Sequence, residues 1–257
     1  MPVLSDRRGR ILVVTIDRPE VRNAVDRPTA AALADAFRSF DGDDGVDVAI
    51  LTGAGGQFCA GADLKAMTED PERASRVEPD GDGPMGPTRM LPSKPVIAAI
   101  EGYAVAGGLE LALWCDLRVA AEDSVLGVFN RRFGVPLMDG GNVRLPRGVG
   151  LGRALDMILT GRAVDAPEAF AMGLVNRLCA PGRALETALE LASTIASWPQ
   201  GPLRGDRLAA IEGVALPLDE AMANEFSRGV ESLGAGETLS SVRRFSEGQG
   251  RHGEGTR

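Results

Sequence analysis

The stretch from Val96 to Trp114 most limits how this chain can fold, because it joins a strand, a glycine turn and a helix. Val96 to Ile100 is a short apolar run of strand type, and Leu109 to Trp114 is an apolar run of helical type. Between them, Gly107 and Gly108 let the backbone turn where a Cβ would clash, and they leave amide N–H groups free at the helix start. Such a positive helix end suits a negative charge that develops on an oxygen atom.

Glu110 lies three residues past Gly107, one turn into the predicted helix. Its carboxylate could therefore share a pocket with the free amides. An acid–base group beside an anion-stabilising turn outlines a reaction centre. The alternative is a plain strand-to-helix junction with a surface glutamate, since glycine motifs have real false-positive rates.

A second stretch, Gly53 to Lys65, also follows an apolar strand-like run, Val46 to Leu51, and begins with a turn of small residues. Together with Ala104 to Glu110, this stretch resembles the crotonase (enoyl-CoA hydratase/isomerase) superfamily. The resemblance covers nearly the whole chain, and several motifs occur in the family's order. The further matching segments are Ile16 to Ala24, Lys94 to Ala98, Leu159 to Arg162 and Ala171 to Asn176.

Strands that alternate with helices up to about Leu178 indicate an α/β fold. The resemblance implies its particular form, a spiral of β-β-α repeats with a C-terminal helical region. We expect residues 1–180 to form the core with the acyl-CoA site. Beyond Pro181 the pattern predicts four helices over 184–197, 202–212, 218–233 and 238–247. In the family such a region packs beside the site and helps to form a homotrimer or a dimer of trimers. The sequence alone leaves open a helical cap on a monomer for residues 181–257.

The resemblance implies an acyl thioester substrate whose carbonyl oxygen becomes negative during the reaction. It assigns the two oxyanion donors to the backbone amides of Ala62 and Gly107, and the acid–base group to Glu110. The coenzyme A cradle maps, largely through backbone atoms, onto Ala60, Ala62, Asp63, Leu64 and Lys65. Arg22 is a candidate for the phosphates of coenzyme A, since guanidinium suits phosphate geometry; a surface role for Arg22 is the alternative. Coenzyme A is part of the substrate, and no separate cofactor is expected.

One departure from the family pattern concerns the second acid. Hydratases of the family use a second glutamate about twenty residues after the first, and this chain has Asn130 there. A neutral amide cannot be a general acid or base near neutral pH, although it can hydrogen-bond a water or a hydroxyl. Glu110 acting alone would favour isomerisation. Asp139 could supply a second carboxylate, or it could be the N-cap of the next helix, a position that Asp favours.

Composition limits the other functions. The net charge of −8 argues against a nucleic-acid-binding surface. No apolar run approaches the roughly 20 residues of a membrane span, and residues 1–10 have no signal-type apolar core, so we expect a cytoplasmic protein. The three cysteines are widely spaced and the single histidine is His252, which disfavours a metal site and a hydrolytic triad.

Two function classes follow. The first is an acyl-CoA enzyme of fatty-acid metabolism, a hydratase, an isomerase or a related lyase. The second is a catalytically silent crotonase-fold protein that binds acyl-CoA or a partner, an interpretation that Asn130 encourages. The retained Glu110 and both oxyanion positions favour the enzyme.

Overall fold

The apolar runs of the sequence form the strands of one twisted sheet in the computed structural model, which describes residues 1–234 and 237–247. Its strand order is β1-β2-β3-β4-β6-β9, in which β1 is antiparallel to β2 and the other neighbours are parallel. Long apolar strands are typical of parallel sheets that are covered on both faces. The strands are β1 Val3–Arg8, β2 Ile11–Ile16, β3 Val48–Gly53, β4 Val96–Ile100, β6 Leu117–Ala121 and β9 Arg177–Cys179.

A second, smaller sheet stands beside the first and carries the site. It consists of β5 Tyr103–Val105, β7 Val125–Gly127 and β8 Val164–Asp165, in the order β5-β7-β8. Only residues 101–102 separate the end of β4 from the start of β5, so this short connection carries the chain from the large sheet to the small one.

Helices cover the sheets and mostly match the predicted ranges. α1, for example, is predicted over 28–40 and begins one residue earlier, because the Asp26 carboxylate caps it by accepting a hydrogen bond from Thr29 N. Every residue of α3, which spans Gly107–Trp114, is buried, so this helix runs through the core rather than along the surface. The core helices are α1 Arg27–Gly42, α2 Leu64–Glu69, α3 Gly107–Trp114, α4 Gly141–Val149, α5 Leu151–Thr160 and α6 Ala166–Ala171.

The C-terminal region is helical, as the sequence predicts. α7 packs against the large sheet through Ala184, Ala188 and Ala192, whose small side chains allow a close approach. The remaining helices extend beyond the sheet, and neither α9 nor α10 buries a residue among those described. The four helices are α7 Ala184–Ala196, α8 Gln200–Gly213, α9 Leu218–Gly234 and α10 Glu237–Ser246. The division into units 1–180 and 181–257 stays a prediction.

The segment from Thr68 to Ser93 has little regular structure, yet parts of it are buried. The sequence allows either a binding loop or a solvated surface excursion here. Met85 is only 1% exposed and Thr88 is equally buried, so this part packs into the core. Arg73 ties the segment to Asp26 by an ion pair.

No helix in the described residues combines the length and apolar character needed to cross a bilayer. His252 lies outside the described residues.

Candidate active site

The two glycine-containing stretches meet beside the small sheet. Cys59 N donates to Tyr103 O (2.9 Å) and Val105 N donates to Cys59 O (3.1 Å). These bonds hold residues 59–62 against β5 and therefore against the start of α3. A Cβ built on Gly61 would lie 3.0 Å from Gly107 N, which shows how closely the two backbones approach.

The turn into α3 carries backbone strain at Ala106. This alanine has φ 54° and ψ −126°, a conformation that normally requires glycine. Strain of this kind typically stores about 1–3 kcal/mol and clusters at functional sites. The two glycines that follow are needed for close approach instead, because a Cβ on Gly108 would lie 2.1 Å from Cys59 O.

Two backbone amides at this junction donate no hydrogen bond within the part of the chain that the structure describes. Neither Ala62 N nor Gly107 N donates a backbone hydrogen bond to a residue that the structure describes. Gly107 is the first residue of α3, where the amide has no acceptor within the helix. The predicted pair of oxyanion donors is therefore brought to neighbouring positions with both N–H groups available.

Glu110 is buried one turn into α3, with only 3% of the residue exposed. Its Oε1 accepts hydrogen bonds from Asp139 N (2.9 Å) and Gly141 N (2.8 Å). The pKa of Glu110 is raised to about 7, mainly because burial disfavours the charged form. The hydrogen bonds from Gly141 N and Asp139 N oppose this increase, and the nearby charge of Asp139 adds to it. A carboxyl group with a pKa near 7 can both accept and return a proton at neutral pH.

Glu110 faces a cavity of about 180 Å³ whose walls are mostly apolar. The walls come from the two loops, from residues 64–85 and from residues 129–139. Polar side chains are contributed by Ser75, Glu110, Asn130 and Asp139. The apolar lining is formed by Ala60, Ala62, Leu64, Met67, Val77, Pro84, Met85, Val105, Ala106, Phe129, Phe133, Val135, Pro136 and Met138.

Asp139 is buried and holds the segment at 85–88 in place. One oxygen of its carboxylate accepts from Met85 N (3.0 Å) and from the Thr88 hydroxyl. Burial raises the pKa of Asp139, while these two bonds act in the opposite direction. The interpretation of Asp139 as an N-cap is wrong, because Gly140 occupies that position of α4 without a side-chain bond.

Asn130 lines the same cavity and is 7% exposed. Its Nδ2 donates to Val135 O at 2.7 Å, which fixes the orientation of the amide. Its Oδ1 is buried and has no hydrogen-bond partner among the described residues.

Only some residues of the predicted coenzyme A cradle line the cavity. Ala60, Ala62 and Leu64 line the cavity. The Asp63 carboxylate instead accepts from Ala66 N (3.1 Å) at the start of α2 and from the Arg18 guanidinium (2.9 Å). Lys65 is exposed, and its only ion pair is a 3.7 Å contact with Glu69 among the residues described.

Arg22 lies beside a second cavity of about 280 Å³, which shares Ala60, Val105, Phe129 and Phe133 with the first. Its guanidinium carbon is 5.7 Å from the centre of the Tyr103 ring. Arg132 lines this cavity too, with its guanidinium carbon 3.5 Å from the centre of the Phe129 ring. The sequence does not distinguish Arg132 from the adjacent Arg131, because only the 3₁₀ turn at 129–133 decides which of the two arginines faces the cavity.

Comparison with known proteins identifies the family of this chain. A family model described as enoyl-CoA hydratase/isomerase matches residues 6–210. The chain belongs to the enoyl-CoA hydratase/isomerase family. Enoyl-CoA hydratase EchA19 of Mycobacterium tuberculosis is 37% identical over 95% of this chain and 93% of that protein. Crotonyl-CoA hydratase of Syntrophomonas wolfei is 35% identical over 87% of this chain and 86% of that protein.

Solved structures agree with the family assignment. A crystal structure of an enoyl-CoA hydratase from Mycobacterium tuberculosis has a TM-score of 0.90 and 40% identity, and the match covers 96% of each chain. EchA1 from Mycobacterium marinum also has a TM-score of 0.90, with 39% identity and the same coverage. The predicted crotonase-type α/β fold is therefore confirmed, and so is the prediction of an acyl-CoA-processing enzyme of the hydratase/isomerase type.

Proposed function

We propose that this enzyme adds water across the C2–C3 double bond of 2-enoyl-CoA thioesters, with Glu110 as its acid–base group. The observation that carries the proposal is the position of Glu110, a buried carboxyl group with a pKa near 7 beside two free backbone amides. The relatives that are named as crotonyl-CoA hydratase and short-chain-enoyl-CoA hydratase support the same reaction.

The free amides supply the electrostatic part of the mechanism. The thioester oxygen accepts hydrogen bonds from Ala62 N and Gly107 N, and the positive end of α3 adds to their effect. When the nucleophile adds at C3, negative charge moves onto this oxygen and both bonds strengthen. Each such preorganised donor typically contributes on the order of 3 kcal/mol to the transition state.

Glu110 supplies the proton transfers. As its carboxylate takes a proton from water, the water oxygen bonds to C3. The π electrons of the C2–C3 bond then move to form the enolate. The protonated Glu110 returns the proton to C2, the enolate collapses to the thioester, and the carboxylate is regenerated. One group therefore completes the addition, which explains how hydration can proceed without a second glutamate.

Asp139, which the sequence makes a candidate second acid, takes a positioning role in this proposal. Its carboxylate is engaged by Met85 N and Thr88, and its main-chain N–H fixes Glu110. Its charge also contributes to the raised pKa of Glu110. Asp139 thus acts on the reaction through Glu110.

In this proposal the coenzyme A part of the substrate extends from the first cavity into the second. Backbone atoms at Ala60, Ala62 and Leu64 contact the thioester end, and the exposed Lys65 is available for a phosphate. Arg22 and Arg132 stand at the second cavity with their guanidinium groups on aromatic rings, where phosphate oxygens can reach them.

Isomerisation of 3-enoyl-CoA to 2-enoyl-CoA is a second candidate. It needs one base to move a proton from C2 to C4 and needs no water. The neutral Asn130 at the place of the second glutamate favours it. A panel of 2-enoyl-, 3-enoyl- and 3-hydroxyacyl-CoA thioesters, with products identified by mass spectrometry, separates the two reactions. We expect 3-hydroxyacyl-CoA from 2-enoyl-CoA; conversion of 3-enoyl-CoA without any hydration would establish the isomerase instead.

We also propose that the enzyme is a homotrimer or a dimer of trimers. Large apolar side chains on the last two helices remain exposed in a single chain, far more than a solvated helix pair needs. These side chains are Leu218, Met222, Phe226, Val230, Leu233, Leu239, Val242 and Phe245.

Because coenzyme A thioesters are used inside cells, we propose a cytoplasmic location and a role in fatty-acid metabolism.

A further inference from the structure

Two residues that line the catalytic cavity each have a buried side-chain atom without a hydrogen-bond partner among the described residues, Ser75 Oγ and Asn130 Oδ1. Buried acceptors without a partner are rare in folded proteins, and each one needs an explanation. A ligand that brings its own donor is the natural explanation for such an atom when its residue lines a binding cavity.

The Asn130 atom is the more informative of the two, because its identity as an acceptor is settled by the rest of the side chain. Nδ2 donates to Val135 O, and Val135 N donates back to Asn130 O (3.1 Å). Turning the amide over would lose the first bond and place two oxygens against each other. The unpartnered atom is therefore an oxygen that can only accept a hydrogen bond. Ser75, by contrast, has a hydroxyl that can rotate toward other partners.

We propose that Asn130 Oδ1 accepts a hydrogen bond from the oxygen that bonds to C3, which is water in hydration and the 3-hydroxyl group in the reverse reaction. This inference rests on the proposed function and adds a second contact to it. The incoming oxygen then has two acceptors, the Glu110 carboxylate and the Asn130 amide, and only the first takes its proton. Asn130 transfers no proton and contributes orientation and recognition of the hydroxyl group.

The proposal predicts that the cavity prefers acyl groups with a hydroxyl at C3. A saturated acyl-CoA of the same length leaves Oδ1 without a donor, whereas the 3-hydroxyacyl-CoA satisfies it. The difference of one hydrogen bond to a buried acceptor corresponds to a preference of roughly tenfold in Kd.

The test is calorimetric titration with butyryl-CoA and 3-hydroxybutyryl-CoA. All proteins carry Glu110→Gln, so that the hydroxy ligand is not dehydrated during the measurement. Asn130→Leu removes the acceptor, and Asn130→Asp retains an acceptor oxygen while losing the same bond to Val135 O. We expect the preference for the hydroxy ligand to fall below about twofold in the leucine variant and to persist in the aspartate variant.

Affinity for butyryl-CoA reports whether the leucine variant still forms the cavity, and we expect it to change little. Ser75→Ala is the matched control, since it removes the other unpartnered atom, which belongs to a residue that lines the same cavity. The proposal is overturned if the leucine and aspartate variants lose the preference equally, if neither loses it, or if Ser75→Ala alone abolishes it. None of these results depends on turnover, so they are distinct from the failure of wild-type enzyme to hydrate any 2-enoyl-CoA, which would refute the proposed function.

Discussion

Replacing Glu110 by Gln tests the proposed acid–base group and the energetic consequence of burying it. The Gln side chain has the same shape, and its Oε1 can still accept the two bonds from Asp139 N and Gly141 N. It can no longer take or return a proton. General acid–base catalysis typically contributes 10²–10⁴-fold, so we expect kcat/KM for 2-enoyl-CoA to fall by at least about 10², or about 2.7 kcal/mol of transition-state stabilisation.

The same substitution should stabilise the fold at alkaline pH. The folded protein holds its Glu110 proton up to a pKa of about 7, against an ordinary value of 4.5. Between these values the folded state binds more protons than the unfolded one, so wild-type stability falls as pH rises through this window and levels off above it. The integrated loss is about 3 kcal/mol at pH 8 and under about 1 kcal/mol at pH 5. Gln has no such loss.

Thermal unfolding and steady-state kinetics at both pH values test these expectations together. We expect the variant to have a Tm roughly 10 °C above wild type at pH 8 and a much smaller difference at pH 5. Glu101→Gln is the control, because the Glu101 carboxylate also accepts two backbone N–H bonds, from Gly182 and Ala184, outside the cavity. Retention of more than a tenth of wild-type kcat/KM, or a Tm difference that does not depend on pH, would refute the reasoning.

Four further predictions follow from the site and the surface. Since Glu110 must be ionised to act as the base, kcat/KM of wild type should fall about tenfold per pH unit below about 7 and stay level above it; a flat profile from pH 5.5 to 8 contradicts this role. Asp139→Asn should keep kcat/KM within about tenfold of wild type and move the midpoint of the pH profile to lower pH, because it removes a charge that raises the pKa of Glu110. A loss as large as that of Glu110→Gln would make Asp139 a proton donor. Gly108→Ala should abolish activity and lower Tm, because the new Cβ is forced against Cys59 O. Gly148→Ala, in open space within α4, should instead raise the free energy of unfolding in urea by up to about 1 kcal/mol, and equal effects of the two variants would disprove the packing argument. Light scattering at micromolar concentration should give a trimer or hexamer that Phe226→Asp dissociates, and a monomeric wild type would end the assembly proposal.

Much of the framework was readable from local sequence, because its signals are local. β4 occupies the predicted range 96–100, and the helices after residue 181 begin within two residues of their predicted starts. Apolar periodicity and glycine turns act over a few residues, so they can be recognised without knowing the fold. β1 has no such apolar pattern, since only Val3 of its six residues is buried and the strand forms by pairing with β2.

The sequence also singled out Glu110 and the amides of Ala62 and Gly107, but it could not locate the strain. The positive φ falls on Ala106 rather than on either glycine. The glycines are required by neighbours distant along the chain, Met85 against Gly107 and Cys59 against Gly108. Such close approaches exist only once β5 and the loop at 59–62 have paired.

Only the tertiary structure decided how the polar groups around Glu110 divide their roles. The sequence cannot tell whether Asp139 caps a helix, donates a proton or holds a loop. In the fold its carboxylate accepts bonds from Met85 N and Thr88, which lie 54 and 51 residues away along the chain. Asn130 likewise has an unpartnered oxygen only in the folded chain, where its Nδ2 donates to Val135 O and no described donor bonds to its Oδ1. The pKa of Glu110 follows the same rule, because burial in the folded chain raises it and bonds from residues 138–141 oppose the increase. Residue type is a property of the chain, but desolvation and hydrogen-bond partners are properties of the fold.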